Sequence, residues 1–324
     1  MKAVVCRVWG PPEALVVEDR APLVAEPGKV VVSVKAASVK FADTLIIQNK
    51  YQTKTDLPFV PGSEVTGIIK SVGAGVEGWK VGDRVNAQTG YGGYAEEVLA
   101  EPDRLSAIPD AMDFASATGL TSTYGTSYYA LVDRGQLRAG ETLLVLGASG
   151  GVGLAAVQIG KVLGAKVIAC ASSDEKLAVC RAHGADETIN YDREDMRARV
   201  KAITGGNGVD VVYDPVGGAY SELALRDMAW GGRFLVIGFA AGDIPKIPLN
   251  LPLIKGCSIV GVWIGAFAKR ERAKHRANAD ALWKWFAEGT IKPYASTMFP
   301  LEQASDALNA LIARKVAGKV VLTT

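Results

Sequence analysis

The stretch Leu143-Leu-Val-Leu-Gly-Ala-Ser-Gly-Gly-Val-Gly-Leu154 decides the fold. Its first four residues are apolar without alternation, which is how a strand reads when helices cover both faces of a parallel sheet. The chain then turns through glycines: Gly150 and Gly153 take the second and third glycine positions of G-x-G-x-x-G, and Ala148 takes the first. An amphipathic helix is expected over 152–163, and a second strand, Lys166-Val-Ile-Ala-Cys-Ala171, falls where a βαβ unit needs one. A strand, a glycine turn and a helix N-terminus in that order bind a dinucleotide pyrophosphate, with Ser149, Gly150, Gly151, Val152 and Gly153 as the contacts.

Which dinucleotide binds depends on the end of the second strand, where NAD-binding proteins place an Asp or Glu for the ribose hydroxyls. Here that strand ends in Ala171-Ser172-Ser173, with Lys176 one turn into the next helix. Two hydroxyls can donate to a 2′-phosphate and the lysine adds positive charge, whereas a carboxylate would repel it. These residues predict NADPH. Two other roles stay open at this level: Ser172 or Ser173 also suits the N-cap of the following helix, and Asp174 is the nearest acid that could take a ribose.

The chain has 324 residues, 36 Lys plus Arg against 34 Asp plus Glu, and a formal net charge of +2. That length suits two domains. The near balance of charge excludes a strong field for nucleic acid or anionic lipid. Every apolar run is interrupted well short of the ~20 residues that a membrane-spanning helix needs. With no signal segment ahead of the first strand, a cytoplasmic protein is expected. Cys6, Cys170, Cys180 and Cys257 are scattered and His183 and His275 are the only histidines, so no cluster reads as a zinc site. Cys170 is expected as a buried thiol within a strand, and His183, before Gly184, as a helix C-terminus.

Up to about residue 120 the chain is β-rich, with strands expected at 1–8, 29–36 and 65–72 between Pro and Gly pairs. Beyond that, strands at 142–146, 166–171, 187–190, 209–213 and 233–239 alternate with helices, and a further strand at 258–263 sits at the sheet edge. The alternation implies an α/β fold with a doubly wound parallel sheet. A basic helix over 269–288 carries Lys269-Arg-Glu-Arg-Ala-Lys-His-Arg276; Glu271 interrupts the positive block, which reads as a solvated face. A helix over 301–313 and the strand Lys319-Val-Val-Leu-Thr323 follow. That lone strand must pair, and the amino-terminal β domain is its natural host.

One segment is more specific than composition or periodicity: Gly140-Glu141, Leu144, Ala148-Ser149-Gly150-Gly151, Gly153, Gln158 and Lys161. It is similar, at each fixed position, to the quinone oxidoreductase and zeta-crystallin signature. Pro61-Gly-Ser-Glu-Val-Thr-Gly67, Val81-Gly-Asp-Arg-Val85, Asp214-Pro-Val-Gly-Gly218 and Gly318-Lys-Val-Val-Leu322 support the likeness. Over essentially its whole length the chain resembles the medium-chain dehydrogenase/reductase superfamily, in its zinc-independent NADPH:quinone oxidoreductase branch. The resemblance implies a GroES-like catalytic domain at 1–120, a Rossmann NADP-binding domain at 121–260, and a carboxy-terminal segment at 261–324 that returns to the catalytic domain. It also implies that zinc is dispensable. The Gly-His-Glu that supplies a ligand in metal-dependent relatives is Gly62-Ser63-Glu64 here, and the stretch 86–94, where a four-cysteine lobe should follow, has no cysteine. Without a Lewis acid the acceptor must be conjugated, so that it stabilises its own charge.

Carried over position by position, Lys176 and Tyr191 resemble the pair that holds the NADPH 2′-phosphate, with Ser172 and Ser173 lining the same pocket. Thr126 resembles the threonine near the nicotinamide, and Val216, Phe239, Ala240, Val262 and Trp263 the strand ends that flank the cofactor. Asp43 falls in the family's N-x-x-D segment beside the substrate, where Lys40 replaces the usual Asn. Lys40 either serves as an electrophile for the charge that develops as hydride arrives, or pairs with Asp43 or points into solvent. Tyr51, Trp263 and Phe267 are candidate walls for a flat acceptor. The implied activity is reduction of quinones or α,β-unsaturated carbonyls, by one or two electrons. The alternative is a crystallin-like or RNA-binding protein that keeps NADPH with little turnover, although the basic run lacks interleaved aromatics until Trp283. The edge strand at 258–263 predicts a homodimer.

Overall fold

The valine-rich run at 30–34 becomes the spine of the first of two units. The computed structural model describes residues 1–324, which divide into one unit of 1–122 with 293–324 and another of 123–292. Strands β1 (Lys2–Cys6), β2 (Leu15–Asp19), β3 (Val30–Val39), β4 (Glu64–Val72), β5 (Arg84–Gln88), β6 (Glu97–Ala100) and β7 (Leu105–Ala107) belong to the first. Both β4 and β6 pair antiparallel with β3, and Val30, Val32 and Val34 enter its core. Two short helices, α1 (Phe41–Ile46) and α2 (Phe114–Ala117), complete this part.

The second unit alternates strand and helix. In order come α3 (Gly125–Tyr128), β8 (Thr142–Val145), α4 (Gly151–Val162), β9 (Lys166–Ala171), α5 (Asp174–Ala182), β10 (Glu187–Asn190), α6 (Met196–Thr204) and β11 (Val209–Asp214). They are followed by α7 (Ala219–Arg226), β12 (Met228–Val236), α8 (Asn250–Lys255), β13 (Ser258–Gly261), α9 (Ile264–Arg270) and α10 (Arg272–Ala287). The sheet order is β10-β9-β8-β11-β12-β13, and every pair is parallel. This is the doubly wound α/β architecture expected, and its order reverses between β8 and β11, where such sheets bind ligands. The chain then re-enters the first unit as β14 (Ala295–Pro300), α11 (Ala304–Ile312) and β15 (Lys319–Thr323). The terminal strand finds its expected host: β15 runs antiparallel to β3 and parallel to β14.

Three boundaries differ from the sequence reading. Residues 261–292 belong to the second unit, so the returning segment starts at 293 rather than 261. The cause is local packing: Phe267 stacks on Tyr129 at 4.0 Å, Lys274 and Asn278 both engage the Asp133 carboxylate, and Gln158 bonds both the N–H and the C=O of Lys292. The single basic helix is broken at Glu271, whose φ of −124° and ψ of 55° are not helical. Strand β12 stops at Val236 rather than 239, because the N–H groups of Ala240 and Ala241 turn to the carbonyls of Pro215 and Val216. Cys170 is buried, and His183 ends α5 ahead of Gly184, at φ +106°.

Lys319 secures the returning strand. Its buried ammonium donates to the carbonyls of Ala115, Ser116 and Thr118 at the end of α2. Burial pushes it down to about 7, against the pull of the Glu64 and Asp113 carboxylates. Lys319→Met removes the donor to three carbonyls, that of Thr118 buried, and should cost about 2–4 kcal/mol in urea unfolding. The unfolded lysine keeps its proton up to its ordinary 10.5 while the folded one releases it near 7, so the unfolded state binds more protons in that window. The cost of burying the charge is thus fully present below pH 7 and is relieved above it, by at most about 1.4 kcal/mol per pH unit. The stability gap between wild type and Lys319→Met should widen from pH 7 to 10, and a narrowing gap contradicts this role.

Candidate active site

The second unit gathers its predicted residues at the carboxyl ends of the parallel strands. After β8 the chain turns at Gly147, whose φ is +56°, and Gly150 is the N-cap of α4. A side chain on Gly153 would place its Cβ 2.4 Å from the Gly147 carbonyl oxygen and 2.8 Å from Ala148 Cα, so helix and turn are in backbone contact. A Cβ on Gly150 would meet only the Gly147 oxygen, at 3.5 Å, which leaves the mouth of the turn open. The first-turn N–H groups of α4, including those of Gly151, Val152 and Gly153, have no carbonyl within the helix, and together with the helix dipole they suit an anionic phosphate. Ser149 lies buried in the same turn. The motif alignment put Ala148 in the first glycine slot, but the left-handed residue is Gly147; Ala148 instead donates its N–H to the Cys170 carbonyl of β9 at 2.9 Å.

At the end of β9 the two serines separate their roles. Ser173 is the N-cap of α5 and accepts from the Lys176 N–H. Ser172 accepts from the Lys176 ammonium at 3.0 Å. Asp174, the acid that could have taken a ribose, is held by Asn190 Nδ2 at 2.8 Å and by Arg193 Nη1 at 2.9 Å. Tyr191, beyond β10, lies with its ring centroid 4.4 Å from that of Tyr220. The end of β9 therefore carries a paired ammonium and hydroxyl, and the neighbouring Asp174 is ion-paired with Arg193.

Two further residues were not foreseen from the sequence. Asp214, at the end of β11, is buried and accepts from Ser221 Oγ at 2.5 Å and from the N–H groups of Val216 and Gly217 at 2.8 and 2.9 Å. Burial raises its pKa while these donors lower it. It fixes the loop that carries Val216, whose methyl would lie 2.8 Å from a Cβ on Gly147. Ser127 bonds Tyr213 Oη and the Val152 carbonyl, each at 2.8 Å, and so locks the helix that carries Thr126 to α4. Phe239 and Ala240 lie in the loop beyond β12, and Val262 is joined to Val236 by a backbone bond. Trp263 is 54% exposed, whereas Phe267 is buried against Tyr129 and is core rather than a wall.

The first unit holds a polar cluster around Glu64, which is fully buried. Asn86 Nδ2 donates to it at 2.8 Å, the N–H groups of Thr121 and Ser122 at 3.2 Å, and the Ser122 hydroxyl as well. Lys40 Nζ donates to Ser63 Oγ at 2.8 Å and lies 3.8 Å from Glu64 Oε2. The lysine thus neither pairs with Asp43 through its ammonium nor lies free in solvent. Asp43, expected beside the substrate, is buried at the start of α1. It is 2% exposed, and its Oδ2 accepts from the Lys40 N–H, capping α1, and from Tyr94 Oη, both at 2.8 Å. Burial raises its pKa while Lys40 and Tyr94 lower it. The Tyr51 hydroxyl is shifted upward by burial and by the fields of Asp43 and Tyr91. Tyr91 in turn meets Phe59 edge-on at 5.6 Å and packs against the core of this unit. No three His, Cys, Asp or Glu side chains converge as a metal site.

Comparison with known proteins agrees with this geometry. The family model for the alcohol dehydrogenase GroES-like domain matches residues 26–110, and that for zinc-binding dehydrogenases matches 151–281. The chain belongs to the medium-chain dehydrogenase/reductase superfamily. Within it, the chain belongs to the quinone oxidoreductase branch: it is 40% identical over 327 residues to a quinone oxidoreductase-like protein 2 homolog of Nematostella vectensis, covering all of this chain and 89% of that protein. Among solved structures, Escherichia coli quinone oxidoreductase complexed with NADPH matches with a TM-score of 0.92 and 30% identity over the full length of both chains. A probable oxidoreductase from Mycobacterium abscessus matches with a TM-score of 0.91 and 40% identity, over all of this chain and 99% of that one.

The two glycines of the turn should respond differently to alanine. Gly153→Ala should cost the second unit more than about 1 kcal/mol in urea unfolding despite alanine's better helix propensity. Gly150→Ala should fold like wild type, since nothing opposes its Cβ. Equal stability of both variants would contradict the contact between helix and turn.

Proposed function

We propose that this protein is an NADPH-dependent reductase of quinones or α,β-unsaturated carbonyl compounds that works without zinc. The observation that carries the reading is the paired Ser172 and Lys176 beside an Asp174 that accepts from Asn190 and is ion-paired with Arg193. Such a pocket favours a 2′-phosphate over a bare ribose. Support also comes from the E. coli neighbour, whose solved structure is an NADPH complex. NADPH bound at the glycine turn would supply hydride. The chain's own work is to hold the pyrophosphate on the α4 N-terminus, the extra phosphate on Lys176, Ser172 and Tyr191, and the nicotinamide end near Thr126, Val216, Phe239, Ala240, Val262 and Trp263. Ser63 stands where a metal-binding relative has histidine, and Lys40 occupies its hydroxyl, so the acceptor must stabilise charge through its own conjugation. Tyr51 is the remaining wall candidate in the first unit.

The RNA-binding alternative is less favoured, because the basic run is split at Glu271 and Lys274 is spent on Asp133. A cytoplasmic location belongs to the same proposal; no helix is long and apolar enough to cross a membrane. So does a homodimer. Edge strand β13 is flanked by exposed Trp230, Leu249, Leu253 and Ile254, an apolar face that a second copy would cover by continuing the sheet.

NADPH oxidation against benzoquinone, phenanthrenequinone and cyclohexenone tests the activity; no oxidation with any acceptor refutes it. NADPH should bind more tightly than NADH, and Lys176→Ala should erode that preference about tenfold or more, since a charge-assisted contact contributes about 1.5–3 kcal/mol. Equal wild-type affinity for both cofactors would reject the pocket. Light scattering should report a dimer at micromolar concentration, and a monomer there would sink the β13 interface.

A further inference from the structure

Resting on the reading of the β9 end as the NADPH 2′-phosphate site, we propose that Arg193 is a specificity determinant: paired with Asp174, it offsets the carboxylate that would otherwise repel a 2′-phosphate and accept a bare ribose. Contacts within the second unit set these groups beside the glycine turn. The Ala148 N–H of that turn donates to the Cys170 carbonyl at 2.9 Å, so β9 delivers Ser172 two residues beyond the contact. β10 lies alongside, with Asn190 in register with Ala171 and the Tyr191 N–H donating to the Ala171 carbonyl at 3.2 Å. In a βαβ unit an acid at the end of the second strand serves the ribose hydroxyls. Asp174, the first residue of α5, is the acid in that place.

Both oxygens of Asp174 are taken up from β10 and the loop after it. Asn190 is 3% exposed and its amide is oriented: Oδ1 accepts the Asp192 N–H, which leaves Nδ2 to donate to Asp174 Oδ1 at 2.8 Å. That bond supplies a donor but no charge. The charge comes from Arg193, whose Nη1 lies 2.9 Å from Asp174 Oδ2 and whose backbone N–H is fixed on the Asn190 carbonyl at 3.1 Å. Glu175, the next acid, is lowered by a hydrogen bond from Ser173. Lys176 and Ser172 are left to meet the phosphate, and Arg193 acts on it through Asp174, as a positioning residue. Exposure bounds the strength of this device. The Arg193 and Asp174 side chains are 74% and 62% exposed, so their pairing works close to bulk water and is screened by salt.

Binding titrations of NADPH and NADH, followed by nicotinamide fluorescence at low ionic strength and without acceptor, test the assignment in wild type, in Arg193→Gln and in Arg193→Gln combined with Asp174→Asn. In Arg193→Gln the ratio of the NADH to the NADPH dissociation constant should fall about threefold to tenfold, the size expected of one exposed charge released beside a phosphate dianion. Salt at about 0.5 M should remove most of that difference. Adding Asp174→Asn should restore the wild-type ratio, because the charge that Arg193 offsets is then gone. A ratio unmoved in Arg193→Gln, with both cofactors weakened alike or not at all, gives Arg193 a merely structural role and overturns the proposal. A ratio that stays low in the double variant overturns it as well, since Arg193 would then be meeting the phosphate itself. Both of those results leave the NADPH reading intact. Should the wild type bind NADH as tightly as NADPH, the reading of the strand end falls, and the proposal falls with it.

Discussion

Burying the Glu64 carboxylate is the constraint on which the first unit depends. An ionised carboxylate taken out of water without partners costs several kcal/mol, so donors must be brought to it from elsewhere in the chain. They come from β5 through Asn86 and from Thr121 and Ser122, while Lys40 at the start of α1 supplies a counter-charge 3.8 Å away. Each requirement fixes an element: the register of β4 against β5, the approach of the 120–122 segment, and the extended backbone at Lys40 from which α1 departs. Glu64 also pulls on the buried Lys319, so its charge bears on the strand that closes the chain. The result is a lysine whose position is dictated by an acid it does not touch closely.

The second unit is organised by contact rather than by charge. Glycine at 153 lets α4 press on its own turn, glycine at 147 makes the turn left-handed, and Asp214 pins the neighbouring loop from the far side of the reversal in strand order. What remains open is backbone N–H at a helix start, a generic phosphate receptor. At the end of β9, Lys176 bonds Ser172 while Asp174 is tied to Asn190 and Arg193. The second unit thus leaves a helix N-terminus open, and the first holds a fixed cation.

Much of this was legible because it is local. The β8 strand, its glycine turn and α4 occupy consecutive residues, and Ser172, Ser173 and Lys176 come together within one turn of helix. The pairing of β15 followed from the rule that a lone strand needs a host. What escaped is long-range. Lys40 finds Ser63, 23 positions away, rather than Asp43 on its own helix. Gln158 sets the boundary between the units by binding Lys292, 134 positions away. Asp43 shows a local pattern read for the wrong chemistry: the spacing of three that suggested an ion pair is that of a helix cap, whose acceptor serves the backbone N–H rather than the side chain. Gly147 was visible as a glycine, but its left-handed turn became apparent only from the backbone.

The central claim is hydride delivery to a conjugated acceptor with no metal to assist it. The most direct measurement supplies NADPH deuterated at the transferring position of C4 to protein stripped of metal by exhaustive chelation, with cyclohexenone as acceptor. Deuterium on the β-carbon of the saturated ketone, at a rate unchanged by chelation, is the predicted result. Turnover that disappears with chelation and returns with zinc, or a product that carries no deuterium, would contradict the account.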